Sequence, residues 1–477
     1  MADPVYFVGI EFETGSFTEV TPDVTQFTIA RELASLFSSI APGSADFELM
    51  NDDGKYSPDY SASAFAGLLR PNLPVKIEAT HSGSTYQLFN GFVDSFNVDP
   101  SLDGPPRTSI ACRDRIKDTR IRTITTSLFV DTNVQSIFTT VLSEASVSSF
   151  SVSGMSDIIP FAWFRDRSAD AAIQELIESG FHFAYVDASG IFQIKDRYED
   201  QLSSVVASFS EFYGLGYALA DDDVFNSARM SSQPRKQATS PNTVAFTVSP
   251  ITVAASDSVT FWLTYNDPVT GDSEPATALV TPVNSSDYLM NDLSDGSGGD
   301  LTATASASVT LFGDAAQTTV FNGAGVTGYL TKFQIRGTLV PRSPRLAADS
   351  DDSSSQAVYG KRDYTLTNDL LGTFGFIQDY ANFLIDRQKN PNADISVTVR
   401  NDFPTILGID LLSKIHITNS LTGVASNHIV NFVEHAVELS QGTVHQLTVR
   451  LDRFRDQEVL FLDDPVYGKL DERKLGF

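Results

Sequence analysis

A single cysteine, Cys112, occurs in 477 residues. That excludes an intramolecular disulfide and a cysteine-built zinc site, and makes folding in a reducing cytosol the simplest expectation. No apolar run reaches the ~18 residues of a membrane-spanning helix, and the opening MADPVYFVGIEFE lacks the basic and then apolar segments of a secretory leader. We expect a soluble protein that does not insert into a membrane by itself.

Positive charge is scarce: 33 Lys and Arg stand against 60 Asp and Glu, for a net charge of −27. Holding nucleic acid through its phosphates needs a basic footprint, so that class is excluded. The scarcity is local. Between Lys236 and Lys332 there is no Lys or Arg, while Asp257, Asp267, Asp272, Glu274, Asp287, Asp292, Asp295, Asp300 and Asp314 all fall there.

Catalytic signatures are missing too. His81, His182, His416, His428, His435 and His445 show no metal-ligand spacing, and Gly-x-Ser-x-Gly and phosphate-loop motifs are absent. Gly323-Ala324-Gly325-Val326-Thr327-Gly328 has the letters of a dinucleotide loop but no following helix. Asp292, Asp295 and Asp300 offer oxygen ligands of the kind Ca²⁺ takes, at a spacing that is not an EF-hand, and a solvated turn is expected. No enzyme activity, cofactor or metal is anticipated.

What is present is ample core material, with 42% hydrophobic residues including 34 Phe and 15 Tyr. A chain this long should divide into several domains. Phe47 and Leu49, then Val75, Ile77 and Ala79, alternate with Asp46, Glu48, Lys76 and Glu78, the period of strands buried on one face. Turns are expected at Asp53-Gly54 and Ser82-Gly83-Ser84. Helical spacing predicts a helix carrying Val134, Ile137, Phe138, Val141 and Leu142 behind an Asp131 or Thr132 cap. A second should run from Ser168 to Ser179 with Gly180 as its stop. A hairpin turning at 187–190 follows it. The Thr-, Ser-, Val- and Ala-rich acidic stretch reads as a β-sandwich, with strands at 244–248, 259–265 and 303–312. Residues 347–356, containing DSDDSSS, read as a flexible loop. Then come a helix through Phe374, Ile377, Tyr380, Ala381 and Leu384, and a meander at 395–400, 414–418, 428–439 and 444–451.

The two β-rich ends echo each other. Lys76-Ile77-Glu78-Ala79 and Asn90-Gly91-Phe92-Val93 run alongside Lys414-Ile415-His416-Ile417 and Val430-Asn431-Phe432-Val433, which suggests a duplication.

The order FELMNDDGKYSP, then PVKIEA, then LFNGFV resembles the tail hub (baseplate hub or tail-tip) proteins of tailed bacteriophages, as does the FTEVTPDV opening at 17–24. The resemblance implies a mainly β fold with α+β parts. Two β-barrel tube-type domains (1–120 and 346–455, the second led by a helix) would flank an α+β domain (121–235) and an inserted β-sandwich (236–345), with a C-terminal tail at 456–477. It also implies a homotrimeric ring closing the distal end of the tail tube. Its neighbours would be the distal tail ring protein, the tape measure protein and a fibre or spike, and DNA would pass through without binding. The subunit would be made in the host cytoplasm and end in the virion. No wall-degrading domain is expected after the last barrel. An acidic bore would repel phosphate, and Glu48, Glu78 and Asp94 are candidates to line it. The alternative is a carbohydrate- or receptor-binding tail-tip protein, in which Trp262 and Tyr265 of the insert form an aromatic platform.

Overall fold

The computed structural model describes residues 3–34, 41–100, 105–440, 442–453, 459–460 and 474–475. The tail expected over 456–477 therefore lies outside the described residues, apart from the short pair Val459–Leu460 and Lys474–Leu475.

Among the described residues, thirteen strands form one sheet. The N-terminal part supplies β1 (Val5–Glu13), β2 (Ser16–Glu19), β3 (Val24–Glu32), β4 (Ser44–Met50), β5 (Pro74–His81), β6 (Ser84–Asp99) and β7 (Arg107–Arg113). The later part supplies β8 (Val205–Phe209), β9 (Gly214–Leu219), β10 (Ala393–Arg400), β11 (Lys414–Asn419), β12 (Val424–Glu438) and β13 (Val444–Arg453). The order is β9-β10-β13-β12-β3-β4-β7-β6-β5-β1-β2, with β11 beside β12 and β8 beside β11. Alternation explains the faces. Ala45, Phe47 and Leu49, like Ile395, Val397 and Val399, point into a core shared by both halves, while Asp46, Glu48, Ser396 and Thr398 point away. The fold is mainly β as expected, but among the described residues the strand path stays open at both ends and does not close into the two β-barrel tube-type domains that the resemblance implied.

The duplication is written in this order. The first unit runs β3-β4-β7-β6-β5-β1 and the second β9-β10-β13-β12-β11-β8. In each, a long strand bulges where it leaves its hairpin partner, between Val93 and Ser95 in β6 and between Val430 and Phe432 in β12. Both bulges are held alike. Asn72 N–H donates to the Val93 carbonyl (2.7 Å) and Leu412 N–H to that of Val430 (2.9 Å). Asn72 and Leu412 both have left-handed backbone, with φ of 69° and 61°. Val93 therefore matches Val430, three positions from the match that sequence alone suggested.

The α+β part between the units packs the helices Val134–Glu144 and Ala169–Gly180 on the sheet of Phe150–Ser153, Phe192–Lys195 and Phe183–Val186. Asn133 caps the first helix, accepting from Gln135 N–H at 2.8 Å, in place of Asp131 or Thr132. The second helix includes Gly180, and Phe181 takes the left-handed capping position instead. Gly180 is needed for clearance: a Cβ there would lie 1.9 Å from His182 Nε2.

The acidic stretch forms two facing sheets around Tyr265, Met290, Val320, Leu330 and Phe333. The DSDDSSS segment is ordered, not a loop. It ends the strand Leu346–Asp351, which pairs with Ser227–Ser232, and starts the helix Ser353–Tyr359, capped by Asp352 accepting from Ser355 N–H at 2.9 Å. Aspartate and serine at a helix start satisfy amides that would otherwise lack partners, a signal hidden inside a polar run.

Candidate functional site

The NDDGKYSP motif folds into a lock between strands. Asn51 Oδ1 accepts from Tyr56 N–H (2.8 Å), and Asn51 Nδ2 donates to Ser57 Oγ (3.0 Å). Tyr56 is thereby buried, and its hydroxyl donates to Asp23, which also pairs with Lys55 Nζ at 2.7 Å. Burial works against the Asp23 charge, but the Lys55 and Tyr56 contacts outweigh it and hold the carboxyl below its usual range. Thr21 Oγ1 accepts from Val8 N–H at 2.8 Å. The two stretches carrying the sequence resemblance thus bind each other, and what they build is architecture.

The second unit has a counterpart. Asn401 stands after β10 as Asn51 stands after β4, and their amides donate at 2.9 Å to the carbonyls of His445 and Pro106, residues at matching positions.

The two units meet where β3 pairs antiparallel with the later half of β12, from Gln26 opposite Glu438 to Glu32 opposite Phe432. Beneath this seam runs a buried polar chain. The Tyr6 hydroxyl bonds His445 Nδ1 at 2.8 Å, and His445 Nε2 bonds His435 Nδ1 at 2.9 Å. Burial pushes His445 down to about 3, and burial together with the neighbouring His445 pushes His435 well below its ordinary value. Both rings are therefore neutral at pH 7. Arg31 reaches across the seam to Asp410 at 2.5 Å.

The three carboxylates picked from the sequence all lie on polar strand positions but share no contact. Glu48 pairs with Arg107 and accepts from Gln26 Nε2 at 2.9 Å. Glu78 pairs with Lys76 at 3.2 Å and with Gln87. Asp94, at the β6 bulge, pairs with Lys117 and with Arg113 at 3.3 Å; the Lys117 contact leads in holding its carboxyl low, against slight burial. Each has a cation of its own chain beside it. Asp46, Glu434 and Glu438 lie on the same polar side of β4 and β12 and form no ion pair among the described residues. The sequence reading missed them, although Glu434 and Glu438 alternate with the buried Val433, His435 and Val437, the same period that singled out Glu48.

The insert engages its candidate carboxylates and aromatic side chains in local contacts. Asp292 accepts from Gly299 N–H (2.6 Å), Asp295 from Ser297 (3.0 Å) and Asp300 from Thr302 (2.8 Å), so each carboxylate turns onto its own loop. No metal-holding group of His, Cys, Asp or Glu occurs among the described residues. Trp262 is exposed and stacks on Phe312 at 5.3 Å, whereas Tyr265 is fully buried, so the two form no common platform. Alternation puts them on opposite faces of the strand Ser258–Thr264 and its extension.

One cluster looks catalytic in composition. Arg197 grips Asp157 at 2.7 to 3.0 Å and the Gly180 carbonyl at 2.9 Å, beside His182 and Asp196. It is enclosed by Tyr198 and Tyr380. With Arg197 and His182 buried, it ties the helix end to the hairpin.

No family model matches the chain, and no curated protein does. Among solved structures, the chain is similar to the 43 kDa tail protein of prophage MuSo2 from Shewanella oneidensis, with a TM-score of 0.51 and 11% identity over 94% of this chain and 98% of that one. It also aligns with a tail protein from Neisseria meningitidis MC58, at TM-score 0.48 and 10% identity over 94% and 96% of the two chains. The molecule described here has the fold of a phage tail protein.

Proposed function

We propose that the chain is a structural hub subunit of a phage tail, three copies of which form a ring that closes the distal end of the tail tube and lets DNA pass. The observation that carries this reading is the duplicated strand order, joined edge to edge through β3 and β12. Two equivalent units in one chain give three chains six similar repeats, which suits a part that joins a six-fold tube to a three-fold tip. The polar strand face is the natural lining of the bore. Glu48, Glu78 and Asp94 contribute there as ion-paired groups, and Asp46, Glu434 and Glu438 supply the uncompensated charge that keeps a duplex from sticking. The proposed neighbours are the distal tail ring protein and the tape measure protein above and a fibre or spike below. The role is non-enzymatic, and the place is the virion tail after synthesis in the host cytoplasm. Negative-stain images of concentrated protein should contain rings with a central hole. A uniform population of single solid particles at all concentrations, alone and with the distal tail ring protein, would contradict the proposal.

A further inference from the structure

The seam between the two units is a template for a second seam that the single chain leaves open. In β12, Val424–Ile429 pairs with β11 and Phe432–Glu438 pairs with β3. In the matching strand β6, Ser84–Phe92 pairs with β5, but Ser95–Val98 has, among the described residues, a strand partner only on its β7 side. The matching edge of the other unit is bare as well. Among the described residues β9, the counterpart of β3, pairs with β10 alone. Each chain thus carries both halves of an unmade junction, one on β9 at an end of the strand path and one on the later part of β6 within it.

We infer that the β9 edge of one subunit pairs antiparallel with Ser95–Val98 of the next, in the register that β3 uses on β12. This rests on the ring reading above and names the contact that closes the ring. The register follows from matched positions. Val93 and Cys112 correspond to Val430 and Leu451 through the two bulges, and Ala45 and Ile395 are their respective neighbours. Ile29, opposite Ala45, then matches Tyr217, opposite Ile395. Within the chain, Ile29 faces His435 and Arg31 faces Val433. Between chains, Tyr217 would face Val98 and Leu219 would face Phe96, with Ala218 opposite Asn97 between them.

Exposure supports the match independently. Ile29 is 0% exposed and His435 1%, yet their counterparts Tyr217 and Val98 are 43% and 38% exposed, and Leu219 is 60% exposed. Apolar side chains stand bare at the positions that the intrachain seam buries, on strand edges with no further strand beside them among the described residues, a combination that marks an interface. Pro100, without an N–H, cannot extend the pairing.

The test is a cysteine pair at Ala218 and Asn97. Both positions are exposed, the native Cys112 is buried, and directly opposed strand residues lie within the Cα separation a disulfide spans. Under mild oxidation of concentrated full-length protein, A218C/N97C should give covalent trimer on a non-reducing gel, and either single variant should give none. A register control, A218C/S95C, should link far less. Tyr217→Lys should abolish the trimer in native mass spectrometry while leaving the circular dichroism spectrum unchanged. Rings in negative stain that never cross-link at 218 and 97 would overturn this pairing and leave the ring reading standing. Protein that forms no rings would overturn both.

Discussion

The first β unit keeps its edge strand inside the molecule and the second keeps its edge strand outside, although the two units share one strand order. β3 is sealed against β12, with Ile29 and Arg31 buried, whereas β9 shows Tyr217 and Leu219 to solvent. The units differ once more at their sixth strand. β1 runs antiparallel to β5, but β8 runs parallel to β11, because it arrives from the α+β part and not along the chain that built the first unit. The common core thus preserves which strand lies beside which, while connections decide direction and assembly decides what an edge exposes.

The comparison breaks most sharply by placing the same charge on matched positions. Ile29→Asp buries an unpaired carboxylate in the closed seam and should cost roughly 4 kcal/mol or more, enough to prevent folding. Tyr217→Asp on the open edge should move the stability of dilute protein by about 0.5 kcal/mol at most. Urea titration of both variants decides it; equal losses would mean that β9 is already covered within the chain.

A smaller effect comes from the histidines, which only the second unit possesses, since Val98 and Pro106 occupy the places of His435 and His445. Both imidazoles are held neutral in the fold, so the unfolded chain takes up protons below its ordinary histidine value while the folded chain does not. Their contribution is complete above pH ~6.5 and falls as the pH drops from there towards about 3, the value for His445. By pH 5 each ring should have withdrawn about 2 kcal/mol. Urea midpoints at pH 7 and 5 check this, and His445→Gln should reduce the difference by about half.

The smallest effect concerns the paired asparagines. Asn51→Ala removes two bonds from a buried lock and should cost about 2 kcal/mol, while Asn401→Ala loses one 2.8 Å bond from His445 N–H at an exposed turn and should cost about 1 kcal/mol. Thermal melts of the two variants should keep that order.

Much of this architecture was legible in period and turn chemistry. The alternation through Phe47, Val75 and Ile415, the helices holding Phe138 and Tyr380, and the sandwich strand through Phe261 lie where their spacing put them. The echo between the units was visible too, but three positions off at Val93. Its true anchors are a bulge and the left-handed residues Asn72 and Leu412, which have no common side chain to read. DSDDSSS misled because its polarity hides a capped helix. The seam itself was not legible. Tyr217 and Val98 are ordinary strand residues until the fold shows that their counterparts are buried.

Hydrogen exchange on the assembled protein tests the central claim most directly. Amides of Ser95–Val98 and Gly214–Leu219 should exchange quickly in dilute monomer and become as protected as those of β3 and β12 once rings form, because strand pairing on both sides shields them. Rings in which these two segments exchange as fast as they do in the monomer would contradict it.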